Sequence, residues 1–366
     1  MRMKGKKGQI TAFQLYALLF SIQVLMVLFI NGSFTGGNDF LDNTVSCLLA
    51  AGLNLLFSLP LFLLYRADQT MSIPEWSVHL LGKKGKGVAL YYGAYLLFMD
   101  GIYLSLFQVL MANVIEPHSV PWVLSLITVI AACYAATLGL EASARAGVFL
   151  MVLVLAGTGL LFSGLLVQAD FLHFQPLFID GARQTVQGCL VFFSFGTQLP
   201  LLALVLPAVR GKVQRGFVLW NLLTALFMAL LILVAVASCG DYLRNQLFPL
   251  YTAASMARLS FFERMDMLFV VAWMCGLFLK LSLDLCLIQR CIGFFTSRGK
   301  YLVILLAGGA LLLLSQVVFH NAEFKQMLLD LVGICILSFI GAAGIPWLLL
   351  GVRKWKEGKA DEKTEG

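Results

Sequence analysis

Charged residues are scarce in this sequence. Only 12% of its 366 residues are charged, whereas 60% are hydrophobic, and the mean hydropathy is +0.90. Soluble globular domains usually carry about 25% charged residues. This scarcity excludes an ordinary soluble domain and indicates a chain that folds in a membrane.

Catalytic and metal-binding motifs are missing as well. The sequence contains neither an HExxH nor a GxSxG motif, and no cluster of histidine and carboxylate residues falls inside an apolar run. The eight cysteines form no CxxC pair, and most lie within apolar runs, where cysteine behaves as a small hydrophobic residue. We therefore predict that the protein is not an enzyme and that it binds no metal or cofactor.

Long apolar runs, by contrast, are abundant. About 20 residues of helix cross the ~30 Å hydrocarbon core of a bilayer, and ten runs reach about this length. These runs, which we call spans 1 to 10, cover residues 10–31, 42–65, 88–115, 119–139, 143–168, 185–209, 216–239, 265–289, 301–319 and 327–352. We predict an all-α polytopic membrane protein with ten transmembrane helices, in which residues 1–366 form one integral membrane domain within the lipid bilayer.

The positions of Lys and Arg predict the orientation of these helices. If both termini are cytoplasmic, 20 of the 26 Lys and Arg residues lie inside and Lys280 lies within span 8. The five outer cations are then Arg183, Arg244, Arg258, Arg264 and Lys325. Inner loops are enriched in Lys and Arg, so we predict an N-in, C-in topology. The charge is spread over several short loops, and no nucleic-acid partner is predicted.

The longest break in the first two-thirds of the chain, residues 169–184, divides the spans five and five. We predict a first five-helix repeat over 9–168, a second over 185–352 and a short, disordered cytoplasmic tail over 353–366. Because five is odd, the two halves would be inserted upside down relative to each other. Inverted repeats whose first helices are interrupted are the plan of many secondary transporters, in which the ligand binds near the interruptions.

Span 6 is the better candidate for such an interruption. Ser194, Thr197 and Gln198 lie at i, i+3 and i+4, beside Gly196 and just before Pro200. Glycine lowers helix propensity and proline cannot donate a backbone hydrogen bond, so the helix can open here and present unpaired groups to a cavity. The alternative is a kinked helix whose polar groups bond to neighbouring helices.

Span 1 carries Ser21 and Gln23 as its only polar residues at mid-depth, with no Gly or Pro beside Ser21. We include both in the predicted ligand-binding set because they lie in the first helix of the first repeat, as Ser194, Gly196, Thr197 and Gln198 lie in the first helix of the second. Short amphipathic helices are predicted outside the spans, over 73–81 on the cytoplasmic interface and over 251–261 on the outer side. Glu141 and Arg145 predict an interfacial i, i+4 ion pair.

Three charged residues lie at mid-depth within the spans. Asp100 is in span 3, and Lys280 and Asp284 are one helical turn apart in span 8. Charges at this depth are costly and are kept when they pair or line a wet cavity. We treat the three as candidate coupling residues, with a structural acceptor at Asp100 and a structural salt bridge between Lys280 and Asp284 as the alternatives.

The segment FPLYTAASMARLSFFERMDMLFVVAWMCGLFLKLSLDLCL, residues 248–287, resembles the signature of the spore germination permease family, the B subunits of Ger-type nutrient germinant receptors. Pro249, FFER at 261–264, Trp273 and FLKLS around Lys280 carry the resemblance. LLGKKGKG before span 3 and GLEASAR at 139–145 are similar in kind.

The resemblance implies membership of the amino acid, polyamine and organocation transporter superfamily, with a LeuT-like inverted repeat. It also implies a subunit of the spore inner membrane that binds a small nutrient, usually an amino acid, and works with A and C subunits. An active proton-coupled amino acid permease of the plasma membrane is the alternative, in which Lys280 or Asp100 would couple to protons. The sequence leaves receptor and permease open.

Overall fold

The computed structural model describes residues 10–23, 25–26, 30, 40–115, 120–174, 178, 181–257, 265–296, 299–320 and 331–365. Within them, nine helices are long and apolar enough to cross a membrane. The described part of span 1 adds the shorter apolar helix Ala12–Gln23. The predicted all-α polytopic architecture is confirmed, and each of spans 2 to 10 corresponds to one of the long helices.

The helices follow the predicted order. Their bounds are α1 Ala12–Gln23, α2 Asp42–Ala67, α3 Ile73–Leu81, α4 Lys86–Leu110, α5 Pro121–Leu138, α6 Leu140–Leu166, α7 Ala182–Gly196, α8 Gln198–Val205, α9 Val213–Cys239, α10 Pro249–Met256, α11 Asp266–Ile292, α12 Lys300–His320, α13 Leu331–Phe339 and α14 Ile345–Glu365. A π-helical turn, Ile340–Gly344, joins α13 to α14, and another, Met111–Ile115, ends span 3.

A two-residue parallel pairing joins the start of span 1 to the end of span 6. Strand β1, Ile10–Thr11, pairs with β2, Val209–Arg210. The prediction of helix from Ile10 and up to Val209 was therefore wrong at these ends. Pro207 lacks the backbone N–H that a continuing helix uses and lies in the 3-10 turn Leu206–Ala208, and the chain leaves that turn in extended conformation.

Three cations that the topology prediction assigns to the inner side bond to other helices. Arg66 donates to Gln214, Lys300 to the Thr137 carbonyl and Lys356 to the Leu80 carbonyl. Which side faces the cytoplasm stays a prediction.

Helix α3 forms where predicted. Ser72 and Glu75 form a capping box at its start, and Pro74 lies in its first turn. Its apolar face is packed against the protein, since Ile73 and Trp76 are buried, and its place on the cytoplasmic interface stays a prediction. The helix contacts α4 and α14, whose apolar sides cover this face in place of lipid.

The chain beyond span 10 was predicted to be disordered, and this prediction was wrong because the described residues there are helical. Helix α14 continues to Glu365. Arg353 pairs with Glu357 at 2.7 Å, lies over the Trp76 ring at 5.6 Å, and is followed by Lys356, which donates to Leu80 at 2.6 Å. These contacts with α3 and within the helix stabilise a segment whose composition alone predicts disorder.

Two smaller predictions concern short elements. Glu141 and Arg145 form the expected i, i+4 pair at 2.5 Å on an exposed surface. The helix predicted over 251–261 is present as α10, Pro249–Met256, and ends before Ala257, which is extended. Residues 258–261 lie outside the described residues, and the place of α10 on the outer side stays a prediction.

The helices pack in pairs around span 6. Helix α1 packs against α6, α2 against α7 and α9, α4 against α11 and α12, and α13 against α7. Span 6 is consequently enclosed, and every described residue from Val191 to Ala203 is buried. The candidate site is built around the interruption in this enclosed span.

Candidate functional site at the interruption of span 6

Span 6 is interrupted at the predicted position. Helix α7 ends at Gly196, α8 begins at Gln198, and Thr197 between them has φ of 54°, in the left-handed region. A non-glycine residue in this region is uncommon and is kept where the surrounding structure holds it. The Thr197 hydroxyl is buried and has no hydrogen-bond partner among the described residues.

Gly196 makes room for the side chain that follows the interruption. A Cβ atom at position 196 would lie 2.1 Å from Oε1 of Gln198 and 2.8 Å from its Nε2. The Gln198 amide therefore folds back over Gly196, a placement that any larger residue at 196 would displace.

Hydroxyl groups from neighbouring helices bind the carbonyls that the interruption leaves free. Tyr103 in α4 donates to the Phe195 carbonyl at 2.7 Å, and Ser338 in α13 donates to the Ser194 carbonyl at 2.8 Å. Tyr95 lies 3.1 Å from Ser338 Oγ. Because the single Ser338 proton is committed to Ser194, Tyr95 is the donor in that contact. Spans 3 and 10 thus hold the end of α7 in place.

Span 10 has its own irregular turn, and span 3 binds that one too. Tyr92 donates to the Gly341 carbonyl at 2.6 Å, and Tyr91 donates to the Leu337 carbonyl. Tyrosines on one helix therefore bond to backbone carbonyls of both irregular spans. Motion of α4 relative to α7 or α13 would break these bonds, so the three spans are mechanically linked.

The three charged residues predicted at mid-depth meet in one cluster. Lys280 Nζ lies 2.5 Å from Asp284 Oδ2 and 3.0 Å from Asp100 Oδ1, and all three side chains are fully buried. The outer oxygens, Asp100 Oδ2 and Asp284 Oδ1, have no hydrogen-bond partner in the described structure. Lys280 therefore bridges span 8 to span 3, and whether this cluster has a structural or a coupling role stays a prediction.

Tyr103 connects this charge cluster to the interruption. The Lys280 ammonium lies 5.1 Å from the centre of the Tyr103 ring, within the range of a cation–π contact. The hydroxyl of the same ring donates to Phe195, one residue before Gly196. A change in the charge or position of Lys280 would therefore alter its contact with Tyr103, the residue that bonds to the end of α7.

The predicted polar residues of span 1 separate into two roles. Ser21 is buried, and its hydroxyl oxygen lies 2.9 Å from the Ala17 carbonyl and 2.8 Å from the Gly147 carbonyl. Its single proton is shared between these two acceptors, and the contact with Gly147 ties α1 to α6. Gln23, at the described end of α1, lines a cavity together with Gln198. The continuation of span 1 includes Val24 and residues 27–29, which lie outside the described residues. Ser194 likewise faces a neighbour, since its hydroxyl donates to Cys335 Sγ at 2.9 Å.

The cavity beside the interruption is small, and polar and apolar residues line it in equal number. Its volume is about 30 Å³, room for one or two water molecules. It lies between α1, α2, span 6 and α9. The polar side chains that line it are Gln23, Asn54, Gln198, Trp220, Asn221 and Thr224.

Two larger cavities differ from this one in their lining residues. One of about 60 Å³ lies between α6, α9, α10 and α11 and is lined by apolar side chains apart from Thr158. A cleft of about 310 Å³ opens at the ends of α5 and α11, beside Glu141 and Arg290. Neither contains a predicted site residue, and the first lacks the convergent polar groups that orient a small ligand.

Comparison with known proteins decides the family. Residues 9–324 match the family of spore permeases, described as spore germination protein. The chain belongs to the spore permease family. No curated protein matches the chain.

The fold of this spore permease is shared with transporters. A solved structure of a Na+-coupled sialic acid symporter, in its substrate-bound outward-open state, is similar with a TM-score of 0.63 and 14% identity, over 93% of this chain and 80% of the symporter chain. Identity this low shows the fold alone. The expected LeuT-like architecture is confirmed, and the bounds of the two repeats stay predictions.

Several residues of the site were not found from the sequence. Tyr103 and Ser338 hold the interruption, and Asn54, Trp220 and Thr224 line the cavity. A single polar residue in an apolar span carries a weak signal, because hydroxyl groups in transmembrane helices often bond to their own backbone. Asn54 and Asn221 could have been identified from the sequence, because burying a side-chain amide in a transmembrane helix is unfavourable unless the amide has a hydrogen-bond partner.

Replacing Tyr103 with Phe is expected to destabilise this spore permease modestly, by about 0.5–1.5 kcal/mol, because the bond to the Phe195 carbonyl is lost while the ring stays. Thermal unfolding of the purified protein measures the effect. Tyr134→Phe is the matched control, since Tyr134 is exposed on α5. Equal unfolding temperatures for the two variants would contradict a role for the Tyr103 hydroxyl in holding α7.

Proposed function

We propose that this protein is the permease-like B subunit of a nutrient germinant receptor and that it binds a small nutrient, such as an amino acid, at mid-membrane. The observation that carries the proposal is the interruption at Gly196–Gln198, which places buried polar groups beside a small cavity with several polar side chains in its lining, in a protein of the spore permease family. Family membership supports germination, and the transporter fold supports a small ligand.

The proposed ligand-binding residues include the two glutamines that line the cavity, Gln23 and Gln198, with Gly196 and Thr197 at the interruption. Ser21 and Ser194 support the site by tying its helices to α6 and α13. In this proposal the nutrient stabilises one arrangement of span 6, and the tyrosine and serine contacts pass the change to spans 3 and 10. The A and C subunits of the receptor would read that change in the spore inner membrane, with both termini of this chain in the cytoplasm.

Gly196→Leu is expected to abolish the nutrient response without abolishing membrane insertion, because the added side chain displaces the Gln198 amide. The measurement is germination, in a mixture of amino acids and sugars, of spores in which the variant is the sole copy. Gly309→Leu is the matched control, since Gly309 is exposed on α12 with no atom within 4 Å of a Cβ there. A normal response from a normally expressed Gly196→Leu protein would contradict the proposed site.

The buried charge cluster favours a second candidate function, an active proton-coupled amino acid permease. Two carboxylates share one ammonium in a dry environment, so the ionised trio has a net negative charge that one bound proton neutralises. Uptake of labelled amino acids into proteoliposomes, driven by a pH gradient, would favour this candidate. If the wild-type protein shows no uptake, while spores carrying Gly196→Leu fail to germinate, the receptor is favoured.

A further inference from the structure

Two cations, Arg290 and Lys300, line the cleft of about 310 Å³ at the ends of α5 and α11. Both side chains are partly exposed, unlike the fully buried Lys280. Cys286 and Gln289 line the same cleft, three or four residues from one another or from Arg290 in the ordered helix α11. Residues at this spacing share one helical face. The last turns of α11 therefore direct Arg290 and the Gln289 amide toward the cleft.

Lys300 lies across the cleft on the connection between α5 and α6. Its ammonium donates to the Thr137 carbonyl at 2.6 Å, one residue before Leu138 in the lining. Gly139 follows with φ of 88°, and no atom lies within 4 Å of a Cβ there. Open space thus adjoins the end of α5 and the start of α6, and the bond to Thr137 fixes the ammonium beside it.

The lining has an excess of positive charge. Arg290 forms no ion pair or hydrogen bond through its side chain with any described residue, and the described partner of Lys300 is a neutral carbonyl. Glu141 is the carboxylate of the lining, and Arg145 pairs with it at 2.5 Å. Two cations without a counter-charge of their own among the described residues favour an anion in the cleft. No side chain caps the start of α6, whose positive dipole end adds to this field.

The surroundings of the cleft indicate where the anion comes from. Leu138 is 58% exposed in the lining, and Tyr301, next to Lys300, is 72% exposed. Both belong to spans that cross the membrane, so these apolar surfaces face lipid, and tyrosine is enriched at the level of the headgroups. The volume equals that of about ten water molecules, which is more than a single phosphate ion fills. Basic clefts between membrane helices bind anionic headgroups.

We propose that this cleft binds the phosphate of an anionic phospholipid headgroup through Arg290 and Lys300, with the acyl chains of that lipid along Leu138 and Tyr301. The lipid belongs to the leaflet that the charge distribution predicts to be cytoplasmic. The inference goes beyond the proposed function, because it holds for a receptor subunit and for an active permease alike.

Thermal unfolding of the full-length wild-type protein in detergent micelles is the first test. Phosphatidylglycerol and phosphatidylcholine with identical acyl chains are each titrated into the micelles. Both lipids carry a phosphate, but choline adds a positive charge that two cations repel. We expect phosphatidylglycerol to raise the unfolding temperature with an apparent affinity at least about fivefold above that of phosphatidylcholine, the attraction that one Lys or Arg adds near anionic lipid.

Soluble phosphate is tested in the same assay. Inorganic phosphate and glycerol phosphate, at matched ionic strength, are expected to leave the unfolding temperature nearly unchanged, because they lack the acyl chains that hold a lipid at the membrane surface. Stabilisation by either of them that equals the effect of phosphatidylglycerol and is lost in Arg290→Gln would make the site one for a soluble phosphate, and the lipid proposal would be refuted.

Two substitutions change the charge of the lining. Arg290→Gln removes a cation, and Gln289→Glu adds a carboxylate of the same shape at a position whose side chain has no described partner. Each is expected to weaken the apparent affinity for phosphatidylglycerol about fivefold and to leave that for phosphatidylcholine unchanged, and Arg290→Lys should retain the preference. Lys84→Gln removes an exposed cation outside the lining and is the matched control, which should keep the preference.

Three results would overturn the inference. Equal effects of the two lipids on the wild type would show that the cleft does not select an anionic headgroup. Equal weakening by Lys84→Gln and Arg290→Gln would show only diffuse attraction to anionic lipid. Arg290 also lies in the last turn of α11, where a cation stabilises the helix end. A lower unfolding temperature of lipid-free Arg290→Gln, with an unchanged lipid preference in this variant and in Gln289→Glu, would assign Arg290 that role alone.

Discussion

Lys280→Met is expected to prevent accumulation of folded protein. The substitution leaves Asp100 and Asp284 as two buried carboxylates without their shared ammonium. Removing one partner of a buried ion pair costs about 3–5 kcal/mol, a large share of the stability of most proteins. Expression level and thermal unfolding in detergent measure the loss.

Rescue of this variant separates a structural from a functional role. Replacing only Asp284 with Leu as a second change is insufficient, because Asp100 remains uncompensated 3.0 Å from the former ammonium position. The informative variant is Lys280→Met with Asp100→Asn and Asp284→Asn, which removes all three charges and is expected to recover folding.

The folded triple variant then decides what the charges do. We expect it to be silent to nutrients, because its Tyr103 ring no longer has a cation above it and the link from charge to the end of α7 is lost. Germination of spores carrying the triple variant is the measurement. A full response would show that the cluster is a structural staple between spans 3 and 8.

Gly147→Leu is expected to have the other large effect, through the contact of spans 1 and 5. A Cβ at position 147 would lie 2.7 Å from the Leu18 Cα atom, which is backbone and cannot swing aside. The Ser21 hydroxyl also donates to the Gly147 carbonyl, so separation of α1 from α6 breaks that bond as well. Overpacking costs about 1–3 kcal/mol and more when backbone must move.

The same helix offers the control for this substitution. Gly159 lies on α6 with no atom within 4 Å of a Cβ there, and it is exposed. Gly159→Leu adds the same side chain to the same helix and is expected to leave the unfolding temperature and the nutrient response nearly unchanged. Similar losses in both variants would mean that leucine is harmful anywhere on α6 and that the close approach at Gly147 is not the cause.

Local patterns predicted the elements but not their surroundings. The apolar spacing and the capping residues placed α3 correctly at Ile73–Leu81, yet its apolar face packs on α4 and α14 and not on lipid. Amphipathicity reports only that one face avoids water. In the same way, a polar composition predicted disorder after residue 352, and contacts with Trp76 and Leu80 stabilise a helix there.

The sequence by itself determined which segments are long and apolar enough to cross the membrane, where span 6 opens, and that Asp100, Lys280 and Asp284 lie within apolar spans. These follow from run length and from Gly196 and Pro200, all of which act within one segment. Only the tertiary structure decided that Lys280 is shared by two carboxylates, that Tyr103 and Ser338 hold the end of α7, and that Trp220 and Thr224 face the same cavity as Gln23. Those are contacts between residues far apart in the chain, and they depend on how the helices are rotated and paired, which no single segment specifies.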